Sequence, residues 1–187
     1  VNAGYMDAVG NLTDKEKLLN EIQRQAPVIW ESVRLDVFTH QYTKEYLKKK
    51  HPKLVYISYG ETDDFAHDGH FDFYMKSLHN TDGLIADLWN YVQTDSFYKD
   101  NTYVIITTDH GRGEGTEEGS KWTSHGSDVV GAEQTWMAIL GPDVAATGEA
   151  SNNQLYTNQI APTVLKMLNI KIDSAKMPAK PIDIKLP

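Results

Sequence analysis

Three stretches of the chain are short, rich in β-branched and aromatic residues, and nearly continuous in apolar or Thr character: KLVYISY at 53–59, YVIITT at 103–108 and TWMAIL at 135–140. Runs of that length and composition predict strands buried on both faces. Between the first two, Phe71, Met75, Leu78, Ile85, Trp89 and Val92 recur at spacings of three, four and seven, which predicts a helix with one apolar face. Strand, helix and strand joined in this way describe a right-handed βαβ unit. The expected fold is therefore α/β, a mostly parallel sheet flanked by helices, with its loops gathered at the strand C-termini.

The flanking segments read as further helices. Thr13 and Glu16 form a capping-box pattern, followed by Leu18, Leu19 and Ile22 at helical spacing. A second helix is predicted through residues 30–50, where Lys48, Lys49 and Lys50 suit a helix C-terminus and Pro52 stops it before the first strand. Gly141 and Pro142 close the third strand, residues 147–153 form a polar loop, and YTNQIAPTVLKMLNI at 156–170 resumes as a helix with Pro162 in its first turns. The tail from Met177 to Pro187 carries three prolines and is expected to be extended.

Composition narrows the possible partners. The 187 residues, 40% apolar and 10% aromatic, suit one globular domain. A net charge of -8 without a basic stripe argues against nucleic acid or an anionic membrane surface as partner, and no apolar run is long enough to span a bilayer. With no cysteine, any metal must be held by His, Asp, Glu or hydroxyl groups. The chain opens at Val1 without an initiator Met or a signal-type apolar stretch, so its natural start is expected upstream.

Candidate chemistry concentrates in YGETDDFAHDGH at 59–70. A calcium loop would place Asp64, Asp68 and Gly69 at its first, fifth and sixth positions, but the twelfth is Met75, so the bidentate carboxylate is lacking. Asp63 and His67 are four apart, one turn of a helical or tightly coiled segment, and can converge on one ion. That pattern is common. It gains weight from Asp109 and His110 at the end of the second strand and from His125 in WTSHGSD, all at strand C-termini, where open α/β sheets bind ligands. Taken singly, each of these is as readily a turn or an exposed loop residue.

In this order, D-x-x-x-H, D-H-G and H-G resemble the alkaline phosphatase superfamily, which includes nucleotide pyrophosphatases/phosphodiesterases, sulfatases and cofactor-independent phosphoglycerate mutases. The resemblance covers roughly residues 53–170, including LGPDV and the NQIAPTVLKMLNI helix. It implies two zinc ions in the intact enzyme: Asp63, His67 and His125 would hold one, and Asp109 and His110 the other. Only the first set is complete here, so this chain is expected to bind at most about one zinc tightly by itself. Arg112 and Lys121 flank the motifs and would meet phosphate oxygens, with plain surface charge as the alternative. Asp82, on the apolar stripe between Leu78 and Ile85, would orient a ligating histidine; the alternative is a local break or cap at residues 80–82. His40, His51, His70 and His79 read as surface or capping residues, Asp64 and Asp68 as bystanders, and Trp122 as loop packing.

The family's early Asp and its Thr or Ser nucleophile find no match before Tyr59. Residues 1–187 are therefore read as the C-terminal portion of a single alkaline-phosphatase-like domain, incomplete at the N-terminus, whose partner is the missing N-terminal segment of the same chain. The expected function of the parent is zinc-dependent hydrolysis of a small-molecule phosphoester. The alternatives are a phosphoglycerate-mutase-like isomerase or a sulfatase and, in another class, a non-catalytic metal-binding or interaction module. Members of this kind are often exported, which leans the expected compartment to periplasm or cell exterior.

Overall fold

Thr13 closes the capping box: its Oγ1 accepts the Glu16 N–H at 3.0 Å and the Glu16 carboxylate accepts the Thr13 N–H at 2.7 Å, so α1 (Asp14–Gln25) begins where predicted. The structure is a computed structural model that describes residues 6–150, 154–171 and 173–184; part of the predicted polar loop (151–153) and the end of the proline-bearing tail (185–187) lie outside the described residues. The face that α1 buries is not the one its leucines suggest. Leu19 is buried together with Glu16, Asn20 and Gln23, while Leu18 and Ile22 stay exposed. Hydrogen bonding selects this face, since the Asn20 side chain exchanges bonds with the Ala8 backbone at 2.8 and 2.9 Å and accepts the Tyr42 hydroxyl at 2.7 Å.

Helix α2 runs Asp36–Lys50, starting later than the predicted residue 30. It ends as expected, with three lysines in its last turn, His51 in the left-handed region at φ 46° and Pro52 after it. Two small apolar clusters follow from its packing. Leu19, Phe38 and Tyr42 form the first, and Leu47, Val92 and Tyr98 the second.

The first predicted strand does not form. Residues 51–60 join no ladder among the described residues; Val55, Ile57 and Tyr59 are half-buried while Leu54, Tyr56 and Ser58 are exposed. The run meets its apolar composition by laying Val55 on the Leu47, Val92 and Tyr98 cluster. The other two strands form as β1 (Val104–Thr107) and β2 (Met137–Leu140), paired antiparallel from Val104↔Leu140 to Thr107↔Met137. The expected mostly parallel sheet is thus corrected to a two-stranded antiparallel one among the described residues. The reason lies in the connection: residues 108–136 contain no helix, so nothing carries the chain back across the sheet to start a parallel neighbour.

Ahead of β1 lie α3 (Glu61–His67) and α4 (Phe71–Thr94). Helix α4 is unbroken through residues 80–82 and buries Ser77 and Val92, whereas Phe71, Met75 and Leu78 remain exposed. A short 3₁₀ turn, Thr157–Gln159, leads into α5 (Ile160–Met167), with Pro162 in its first turn as predicted. Thr163 in α5 accepts the Ile182 N–H at 2.8 Å, which ties the tail to the body and buries Ile182. Helices with a small sheet make the fold α/β in the coarse sense expected.

Candidate metal centre

The helix that carries the first motif is held at its start by a reciprocal pair. The Asp36 carboxylate at the head of α2 accepts the Gly60 N–H at 2.8 Å and the Glu61 N–H at 3.4 Å, and the Glu61 carboxylate accepts the Asp36 N–H at 2.6 Å. Each helix thereby satisfies donors at the N-terminus of the other. Burial dominates the electrostatics of Asp36 and pushes its carboxyl up to about 7, although the Gly60 N–H pulls the other way. One turn into α3, Asp63 and His67 face the same side, with His67 Nε2 at 3.4 Å from Asp63 Oδ1.

The remaining histidines arrive on the loop between β1 and β2, whose two arms pack backbone to backbone. The Gly111 N–H donates to Ala132 O at 2.7 Å and the Gly113 N–H to Ser124 O at 2.9 Å. A Cβ at Gly111 would sit 2.3 Å from the carbonyls of Gly131 and Gln134, so this approach requires glycine. The result stacks His110 on His125, ring centroids 3.6 Å apart, and brings their Nε2 atoms to 3.7 and 3.6 Å from Asp63 Oδ1. Nε2 of His67 and of His125 are 3.0 Å apart.

These spacings can be compared with those of an ion's ligands. Donors about 2.0–2.1 Å from a tetrahedral ion lie about 3.3 Å from one another. The triangle of Asp63, His67 and His125, with sides of 3.4, 3.6 and 3.0 Å, has that size. Asp63, His110 and His125 likewise offer ligand atoms within 4.8 Å of one another, a second group around the same carboxylate. A nitrogen and oxygen donor set of this kind fits a divalent cation. Burial, then the neighbouring His110, lowers the His125 pKa and favours the neutral imidazole that ligation needs.

The other predicted residues divide. Asp109 is largely exposed, its side chain 86% accessible, with Oδ1 3.6 Å from His110 Nε2. Arg112 is drawn into the centre and donates Nη2 to Asp63 Oδ1 at 2.5 Å. Lys121 instead pairs with Glu118 three residues before it, at 2.6 Å on the surface. Asp82 is exposed on α4, so the premise of a buried carboxylate orienting a ligand does not hold. Trp122 packs on Phe71 and Tyr74 as expected of a loop anchor, and Asp68 accepts the Trp30 indole N–H at 2.9 Å. His51 caps α2, and His70 and His79 are exposed.

His40 departs most from expectation. It is fully buried, bonded to the Tyr59 hydroxyl at 2.9 Å and to Asp87 at 2.7 Å, and it links α2, the segment entering α3, and α4. Sequence reasoning also passed over Asp36. Its one available signal was position, as an acidic residue at a helix start. Beside His110 and His125 opens a cleft of about 240 Å³ that also touches Ser127 and Glu133.

An α/β chain whose loop and helix converge on a cation-sized Asp and His cluster is a metal-site protein in design. Residues 26–172 match the Metalloenzyme superfamily, and the chain belongs to this alkaline-phosphatase-like family, the membership that its motifs implied. The match begins upstream of the motifs and takes in α2. Among curated proteins the chain is similar to the 2,3-bisphosphoglycerate-independent phosphoglycerate mutase of Microcystis aeruginosa, 31% identical over 125 residues that cover 64% of this chain and 22% of that protein. It is likewise similar to those of Gloeobacter violaceus (27% over 123 residues; 63% and 21%) and Acaryochloris marina (28% over 130 residues; 66% and 23%). The chain therefore spans about a fifth of the length of these relatives, and no solved structure matches it. The relatives are mutases, so they favour the isomerase alternative over the hydrolase reading. No helix among the described residues is long and apolar enough to cross a membrane.

Proposed function

We propose that this chain is the metal-holding C-terminal part of an enzyme that moves a phosphoryl group between two hydroxyls of a small phosphorylated acid, as a phosphoglycerate mutase does. The observation that carries the reading is the set of three imidazole nitrogens at 3.4–3.7 Å from one Asp63 oxygen. The mutase names of the relatives supply the reaction class. In such an isomerisation the P–O bond to one hydroxyl breaks, a bond to the other forms, a proton travels the opposite way, and no water is consumed.

Asp63, His67 and His125 would hold one divalent cation, and His110 with Asp109 would contribute to a second. When bound, such ions neutralise phosphoryl charge and polarise the ester. Zinc suits the imidazoles; the carboxylate suits manganese as well, so metal analysis must decide between them. The coverage of about a fifth of the relatives supports the view that the nucleophile and the remaining ligands lie elsewhere in the parent protein.

Phosphorus NMR of the parent protein with 3-phosphoglycerate is the test. Appearance of the 2-phospho isomer without inorganic phosphate is the expected result. Release of inorganic phosphate would return the protein to the hydrolases, and metal binding without turnover would make it the non-catalytic module.

A further inference from the structure

The oxygen around which the histidines gather is already engaged. Arg112 donates to Asp63 Oδ1, the atom that His67, His110 and His125 approach, while its other terminal nitrogen, Nη1, is buried without a partner among the described residues. A guanidinium and a divalent cation cannot share one carboxylate oxygen at contact distance without strong repulsion. A buried donor left unbonded is also costly, and Arg112 holds one while it stays in this position.

We propose that Arg112 and the metal compete for Asp63, so that metal binding displaces the guanidinium and delivers it as the anion-binding group of the site. Before metal binds, the arginine neutralises the carboxylate that would otherwise stand uncompensated among half-buried groups. After displacement its fork, next to a cation and no longer held by Asp63, matches the oxygens of a phosphoryl group. Order of binding follows: metal first, anion second. The anion half rests on the phosphoryl-transfer reading above; the competition half does not.

The rival geometry puts the cation on Asp63 Oδ2 with Arg112 left in place as an orienting partner, and the two predict opposite signs. Titration calorimetry of this chain with Zn²⁺ is expected to show that Arg112→Gln binds about tenfold tighter than the parent, while Arg112→Lys stays close to it. Equal or weaker binding by Arg112→Gln overturns the competition. A measurement on the unaltered chain guards against a misfolded variant: of its three arginines, one side-chain Nε–H signal should shift on Zn²⁺ addition, and loss of that shift in Arg112→Lys assigns it. No arginine shift on saturation with Zn²⁺ also overturns the competition. Inorganic phosphate should bind only after the metal and should be lost in Arg112→Gln. Phosphate binding unchanged in that variant overturns the anion half alone, and no phosphate binding to the metal-loaded parent counts against the phosphoryl-transfer reading instead.

Discussion

Asp63 is the residue on which the candidate site turns, because one of its oxygens faces three imidazoles and a guanidinium. Its neighbour Asp64 shows the effect of crowding: burial, then the Asp63 charge, raises its pKa. Asp63 and His67 were readable as a pair from spacing, since four residues is one helical turn. His125 could not be joined to them by any local rule, for it lies on another loop and reaches the cluster only through the arm packing at Gly111 and Gly113. It is expected to matter as much as the helix residues. His125→Ala should lower zinc affinity by at least the 10- to 100-fold typical of disturbing even an outer partner of a metal site. Metal retained after dialysis at the parent level would remove His125 from the ligand set.

At the scale of elements, α3 is only about two turns of helix, too short to hold itself in water. The Asp36 and Glu61 exchange with α2 supplies its N-terminal partners, and the Tyr59, His40 and Asp87 chain anchors the segment that enters it. Asp36 also has a pH signature. Its folded pKa of about 7 lies above the ordinary value of 3.8, so the folded state binds the extra proton and stability from this group declines as pH rises from about 4 to 7. His40, whose pKa burial lowers, acts in the opposite sense: its contribution falls as pH drops below about 6.5. Asp36→Asn keeps an acceptor oxygen without the charge. Thermal melts of this variant across pH 5–8 should lose the decline and leave the His40 slope exposed; an unchanged pH profile would show that Asp36 titrates normally.

At the scale of the molecule, the apolar clusters are small and many large apolar side chains are exposed, among them Leu54, Tyr56, Val130 and Trp136. A site that joins α3 to the β1–β2 loop should therefore contribute visibly to stability when metal binds, because the ion bridges segments that little else connects. With zinc at 100 times its dissociation constant the gain is about 2.7 kcal/mol. The melting temperature of the chain should rise with zinc and return on adding EDTA. No rise at saturating zinc would mean that the ligands do not come together on one ion.

The sequence by itself determined α1, α2, α4 and α5 as helical, while leaving α3 open between helix and coil, because capping at Thr13, the basic end of α2, the periodicity of α4 and Pro162 are local signals that act over a few residues. It also determined the motif residues and, through them, the family. Tertiary structure decided what no local pattern encodes. A β-rich run shows its period but not its partner or direction, so KLVYISY stands without a ladder among the described residues and β1 meets β2 antiparallel. Periodicity marks an apolar face but not what covers it, which is why Leu18 and Phe71 are exposed while His40 is fully buried. Arg112 and Lys121 read alike as flanking cations; only the packing of the loop sends one to Asp63 and the other to Glu118. Charge and spacing are properties of the chain, whereas the pairing of charges depends on distances that exist only after the chain has folded.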